Sequence, residues 1–169
     1  MHQSHVKSRK AQMLTIIGCG NSNRSDDGVG VFVAQALQAH LHELPHDNVR
    51  VFDAGTGGMD VMFQARGARK LVIIDAGKTG SVAGAIFTVP GEELQADHSP
   101  EFGLHSFRWD HALAAGRKIF RDQFPTDVTV YLIEAQSLDF GLELSAPVRA
   151  SADRLIAQIE REIDGYQTF

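Results

Sequence analysis

The sequence predicts an α/β fold, a three-layer α/β/α sandwich on a mostly parallel, twisted sheet of about five strands. Three observations predict it. Apolar residues alternate along the chain between short continuous runs and helical spacing, which is the βαβ rhythm of a parallel sheet. The length, 169 residues, suits one domain of this class and not two. Seven of the sixteen glycines fall between Gly18 and Gly58, and aspartates accompany them at the ends of apolar runs, where open α/β sheets form their sites.

The elements follow in order. Residues 1–12 are polar and basic and read as a disordered arm, leaving 13–169 as a single domain. The apolar stretch 13–17 is too short for the core of a signal peptide and runs into Gly18-Cys19-Gly20, a turn. Residues 14–17 form the first buried strand. Val29, Phe32, Val33, Ala36, Leu37, Leu41 and Leu44 then recur at helical spacing, ended by Pro45 and Asp47-Asn48. Residues 49–52 are a second strand, 59–64 a short helix and 70–75 a continuous buried strand. Residues 84–89 form a further strand closed by Pro90-Gly91. A helix starting near His105 carries Trp109, Ala112, Leu113, Gly116, Ile119 and Phe120 on its stripe. Residues 127–133 are the last strand, and Val148, Ala152, Leu155, Ile156, Ile159 and Ile163 are the buried stripe of a C-terminal helix.

Composition narrows the function classes. At 43% hydrophobic and 22% charged, the chain is neither disordered nor fibrous. A single cysteine excludes a disulfide scaffold and a cysteine-only metal site, and fits a reducing, cytoplasmic setting. Sixteen Lys and Arg against twenty-one Asp and Glu give a net charge of −5, which argues against nucleic acid or an anionic membrane as partner. No run approaches the roughly 20 apolar residues that span a bilayer.

Gly18-Cys19-Gly20 after a strand invites a dinucleotide-binding reading, but the third glycine of that fingerprint would fall at Asn23. Asp26 and Asp27 then stand at the start of the following helix, where carboxylates repel a phosphate. Nor does a Walker-type G-K-[ST] follow. One of the two acids suffices as a helix cap, and the other is left to serve as a metal ligand or general base.

The segment from Gly18 to Gly30, with Asn21, Asp26 and Asp27, resembles the G-x-G-N-x4-D-[DE]-x-x-G signature of the nickel–iron hydrogenase maturation endopeptidases, which trim a C-terminal extension from the hydrogenase large subunit. The likeness continues in order along the chain. Asp53-Ala54-Gly55-Thr56-Gly57-Gly58 is similar to the family's D-G-G-T-x-G segment. The strand ending at Asp75 is similar to the one that carries a metal-binding Asp. His105 resembles the family's metal-binding histidine. The resemblance implies Asp27, Asp75 and His105 as both metal ligands and catalytic residues of a carboxylate-type site. It gives Asp53, Gly55, Thr56, Gly57 and Gly58 to the substrate cleft, and leaves Asp26 as a cap or orienting group.

Alternatives stay open at several positions. Asp75 also reads as a turn former, Gly55 to Gly58 as a strand-to-helix turn, and His98 competes with His105 as ligand. The segment 91–104 is a candidate for partner contact. His40 reads as packed, His42 and His46 as a solvated pair, and His111 as solvated. Glu134 reads as a loop carboxylate or a secondary site residue. Cys19 reads as a small turn residue rather than a nucleophile, and no serine stands in a G-x-S-x-G elbow.

The function the resemblance implies is an endopeptidase, a hydrolase that removes the C-terminal extension of a nickel–iron hydrogenase large-subunit precursor after nickel insertion. The nickel arrives with the substrate, and the implied partner is that precursor. The alternative is a non-catalytic, metal-sensing chaperone or binding module on the same fold.

Overall fold

The computed structural model describes residues 12–92 and 109–166. Five strands form one sheet: β1 (Leu14–Cys19), β2 (Val49–Gly55), β3 (Lys70–Gly77), β4 (Ile86–Pro90) and β5 (Asp127–Glu134). Their order is β2-β1-β3-β5-β4, with every pair parallel except β4 against β5. Among the described residues four α-helices cover it: α1 (Val29–Glu43), α2 (Gly58–Ala65), α3 (Trp109–Phe120) and α4 (Ala146–Gly165). The expected sandwich is therefore the observed one.

Two cores follow from strand alternation, since successive side chains point to opposite faces of a sheet. Leu14 and Ile16 of β1, Val72 and Ile74 of β3, and Tyr131 and Ile133 of β5 pack against α1 and α4. Ile17, Leu71, Ile73, Val128 and Val130 pack against α2 and α3. Every residue of β1 is buried, as a central strand covered on both faces requires. Pro90 ends β4, an edge strand, where its missing N–H costs no ladder bond to a further neighbour.

The strands run further than their apolar stretches. β2 continues through Asp53 to Gly55, and β3 through Asp75 to Gly77, because the backbone ladder continues past the last hydrophobic residue. In contrast, β4 starts at Ile86 rather than at 84, since Gly84 adopts φ +84° in the turn before it. The expected start of α3 near His105, all but the last residue of the arm 1–12 and most of the segment 91–104 lie outside the described residues.

Two histidines differ from the expectation. His40 is not simply packed: its Nε2 lies 2.9 Å from Asp164 Oδ1 and its Nδ1 3.6 Å from Glu160. His46 shares the same Asp164 oxygen at 3.2 Å rather than pairing with His42. Together they tie the ends of α1 and α4. No helix among the described residues is long and apolar enough to cross a membrane.

Candidate active site

The site forms where β2, β1 and β3 end side by side. In the sheet register Gly18 lies between Asp53 on one side and Ile74 on the other, so Asp53 and Asp75 flank the end of β1. Alternation sends them to opposite faces. Asp53 turns toward α1, where Gln35 Nε2 donates to its Oδ2 at 3.2 Å, while its Oδ1 accepts from Gly55 N–H at 2.9 Å. Asp75 turns toward α3 and is 8% exposed. Trp109 Nε1 donates to its Oδ2 at 2.9 Å, and Ala76 N–H to its Oδ1 at 2.8 Å.

Two glycines bring Asp27 to this edge. Gly20 has φ +134°, and a Cβ there would stand 1.9 Å from the Asp27 carbonyl oxygen and 3.6 Å from Asp75 Oδ1. A Cβ at Gly30 would meet the carbonyls of Ile74 and Cys19 at 2.2 and 2.3 Å. Only residues without a side chain let the start of α1 settle onto the ends of β1 and β3. The Asp27 segment and Asp75 thus meet across Gly20. Asp27 is half-buried, and its Oδ2 accepts from Asn21 N–H at 3.1 Å.

Asp26 does something the sequence did not indicate. It makes no helix cap; it is fully buried and accepts four hydrogen bonds from the loop between β5 and α4. The donors are Gln136 N–H (2.9 Å), Ser137 N–H (3.1 Å), Ser145 N–H (2.7 Å) and Ser145 Oγ (2.8 Å). Burial alone would raise its pKa, but the bonds from Ser145, Ser137 and Gln136 outweigh it and hold the carboxyl below the ordinary range. The signal was not in local spacing, because every partner lies on the far side of the chain.

Glu134 is likewise not a loop carboxylate. It ends β5, is 1% exposed and accepts from Thr79 N–H, Thr79 Oγ1 and Gly80 N–H at 2.9 to 3.1 Å. Burial pushes its pKa up, and the bonds from Thr79, Gly80 and Ser81 bring it below the ordinary value. It fixes the turn after β3.

The segment 53–58 makes the strand-to-helix turn expected of it, with Gly57 N–H bonded to Ala54 O and Gly58 N–H to Thr56 O. Positive φ is needed only at Gly55 (+52°). Gly20 N–H donates to Gly55 O at 2.8 Å, which stitches this turn to the glycine loop. Cys19 lies between the carboxylates and is buried. Desolvation, and then the charges of Asp75 and Asp53, push its thiol far above the ordinary range, which disfavours the thiolate.

Of the predicted site residues, Asp27, Asp75 and the 53–58 turn are brought to one edge of the sheet, while His105 and His98 lie outside the described residues. Among the described residues no group of three or more His, Cys, Asp or Glu is arranged to hold a metal ion. Trp109 was expected only in the core; it is also the donor that orients Asp75, for which a Trp on a helix stripe facing an acidic strand end was the available signal.

Known proteins share this fold. A model of the HycI hydrogenase maturation protease family matches residues 31–162, a span that begins just after the glycine loop. Hydrogenase 2 maturation protease of Escherichia coli (strain K12) is 27% identical over 147 residues, covering 86% of this chain and 87% of that one. Coenzyme F420 hydrogenase subunit delta of Methanothermobacter thermautotrophicus is 34% identical over 159 residues, covering 89% and 94%. The solved structure of the hydrogenase maturating endopeptidase HybD from Escherichia coli superposes with a TM-score of 0.70 at 23% identity, over 87% of this chain and 89% of that one. With the family model spanning most of its length, this chain belongs to the hydrogenase maturation protease family of endopeptidases.

Proposed function

We propose that the protein cleaves the C-terminal extension from a nickel–iron hydrogenase large-subunit precursor, and that it does so after nickel has been inserted. The observation that carries this reading is the approach of the Asp27 backbone and the Asp75 carboxylate to Gly20, at the sheet edge where α/β folds act, within a chain of this family. Two carboxylates and an imidazole, His105, suit a borderline divalent ion such as nickel presented by a docked protein.

The chain's own residues supply position and charge. Trp109 and the Ala76 amide fix both oxygens of Asp75, and Asn21 fixes one oxygen of Asp27. A carboxylate held in this way can accept a proton from the attacking water, as a general base does. Asp53, with Gly55, Thr56, Gly57 and Gly58, borders the cleft through which the extension lies. The single cysteine is a free buried thiol, in keeping with work in the reducing cytoplasm.

A second reading has one observation behind it: the 34% identical relative is named a hydrogenase subunit. On that reading the same residues bind a metallated partner without cleaving it. Purified protein is mixed with precursor, nickel-loaded and nickel-free, and the mass of the precursor is followed. Loss of the extension from the loaded form alone supports the proposal. A stable complex of unchanged mass favours the binding module, and equal cleavage of both forms removes the nickel requirement.

A further inference from the structure

Phe140 and Leu142 are 83% and 81% exposed on the loop between β5 and α4. The backbone beneath them is fastened. Asp26 binds both ends of the loop through its four hydrogen bonds. Ser25 Oγ donates to Asp139 O at 2.8 Å, and Ser25 N–H donates to Gly141 O at 2.8 Å. Arg24 Nε donates to Leu138 O at 3.1 Å, and its guanidinium lies 4.9 Å from the centre of the Phe140 ring.

Ser25 adopts φ +50°, a left-handed conformation that is uncommon outside glycine and costs energy to hold. The strain is retained in the one turn that carries both the loop's fastenings and Asp27. An apolar, solvent-facing pair on a fastened backbone is pre-organised, which lowers the ordering cost of association.

The geometry points to Phe140 and Leu142 as a docking edge for the protein substrate, which inserts them into an apolar patch of its own surface while Asp27 and Asp75 meet its metal-bearing or scissile region. Continuity commits the edge to this occupant. The segment that holds the loop is the segment that holds Asp27, whose N–H donates to Arg24 O at 3.1 Å, so the Phe140 edge is continuous with the Asp27 side of the site. The inference rests on the proposed function for the identity of the partner and adds where that partner binds.

The test uses the full chain and a large-subunit precursor retaining its extension. The double variant Phe140→Ser/Leu142→Ser is compared with wild type and with Leu44→Ser, a control at an exposed site (54%) beyond the far end of α1. The docking edge predicts a KM for precursor raised about tenfold or more, with kcat within about twofold of wild type, as loss of an interface anchor does. Leu44→Ser leaves both unchanged. Wild-type kinetics in the double variant overturn the inference, as does a fall in kcat alone. A concentration-dependent dimer of the wild type that the double variant abolishes, with KM unchanged, assigns the patch to a second copy and also overturns it. If wild type cleaves nothing, the proposed function fails separately; precursor affinity measured by calorimetry then decides, and a Kd unaffected by the double variant overturns the docking edge.

Discussion

Replacing Asp26 with alanine removes one buried carboxylate and strands the four donors of Gln136, Ser137 and Ser145. Hydrogen bonds to a charged acceptor contribute about 1.5–3 kcal/mol each. The four do not simply add, because Gln136 is exposed and Ser137 and Ser145 only half-buried, so water satisfies much of what is released. A net loss of about 3 kcal/mol follows, at the upper end for a single substitution. For a domain of this size, about 1 kcal/mol corresponds to roughly 2–4 °C in Tm, so the variant melts about 6–12 °C lower. Thermal denaturation followed by circular dichroism measures it at neutral pH. A Tm within 2 °C of wild type, on the scale of about 1 kcal/mol or less, would show that Asp26 does not fasten the loop.

Other outcomes follow from the same contacts. Trp109→Phe keeps the ring in the core but removes the donor to Asp75 Oδ2, and precursor cleavage should slow about tenfold with little change in Tm. Gly20→Ala forces a Cβ to 1.9 Å from the Asp27 carbonyl at positive φ, and should cost about 3 kcal/mol or more in urea unfolding. Asp26 and Glu134 both have carboxyls held below their ordinary range, so at low pH the unfolded chain binds the protons first. Their contribution is complete above the ordinary carboxylate range of about 4 and is lost as pH falls through the lower folded values. Tm should therefore be flat on this account from about pH 5 to 7 and drop below about pH 4; a Tm that rises on acidification contradicts the assignment.

The sheet was legible because its evidence is local. Residues 70–75 are a continuous apolar run, and a strand buried on both faces needs little else. The strand ends extend past the apolar stretches, because Asp53 and Gly55 pair through the backbone, which carries no apolar signature. Asp27 and Asp75 stand out in the sequence as members of a spaced motif, and the structure brings their segments to one edge of the sheet. Asp26 was not legible, since its role depends on Ser145 and Gln136, brought near only by the crossing of β5 into α4. Glu134 was misread for the same reason: its burial is set by the turn at Thr79, which folds back over the end of β5. The pairing of His40 and His46 on Asp164 is equally non-local, joining two helices far apart in the chain.

The central claim is that Asp27 and Asp75 act together on a metallated precursor. Its most direct measurement is the mass of nickel-loaded large-subunit precursor after incubation with wild type, Asp27→Ala and Asp75→Ala, each checked for native melting. Loss of the C-terminal extension with wild type and an intact precursor with both variants is the predicted result; full processing by a folded Asp75→Ala variant would contradict the account.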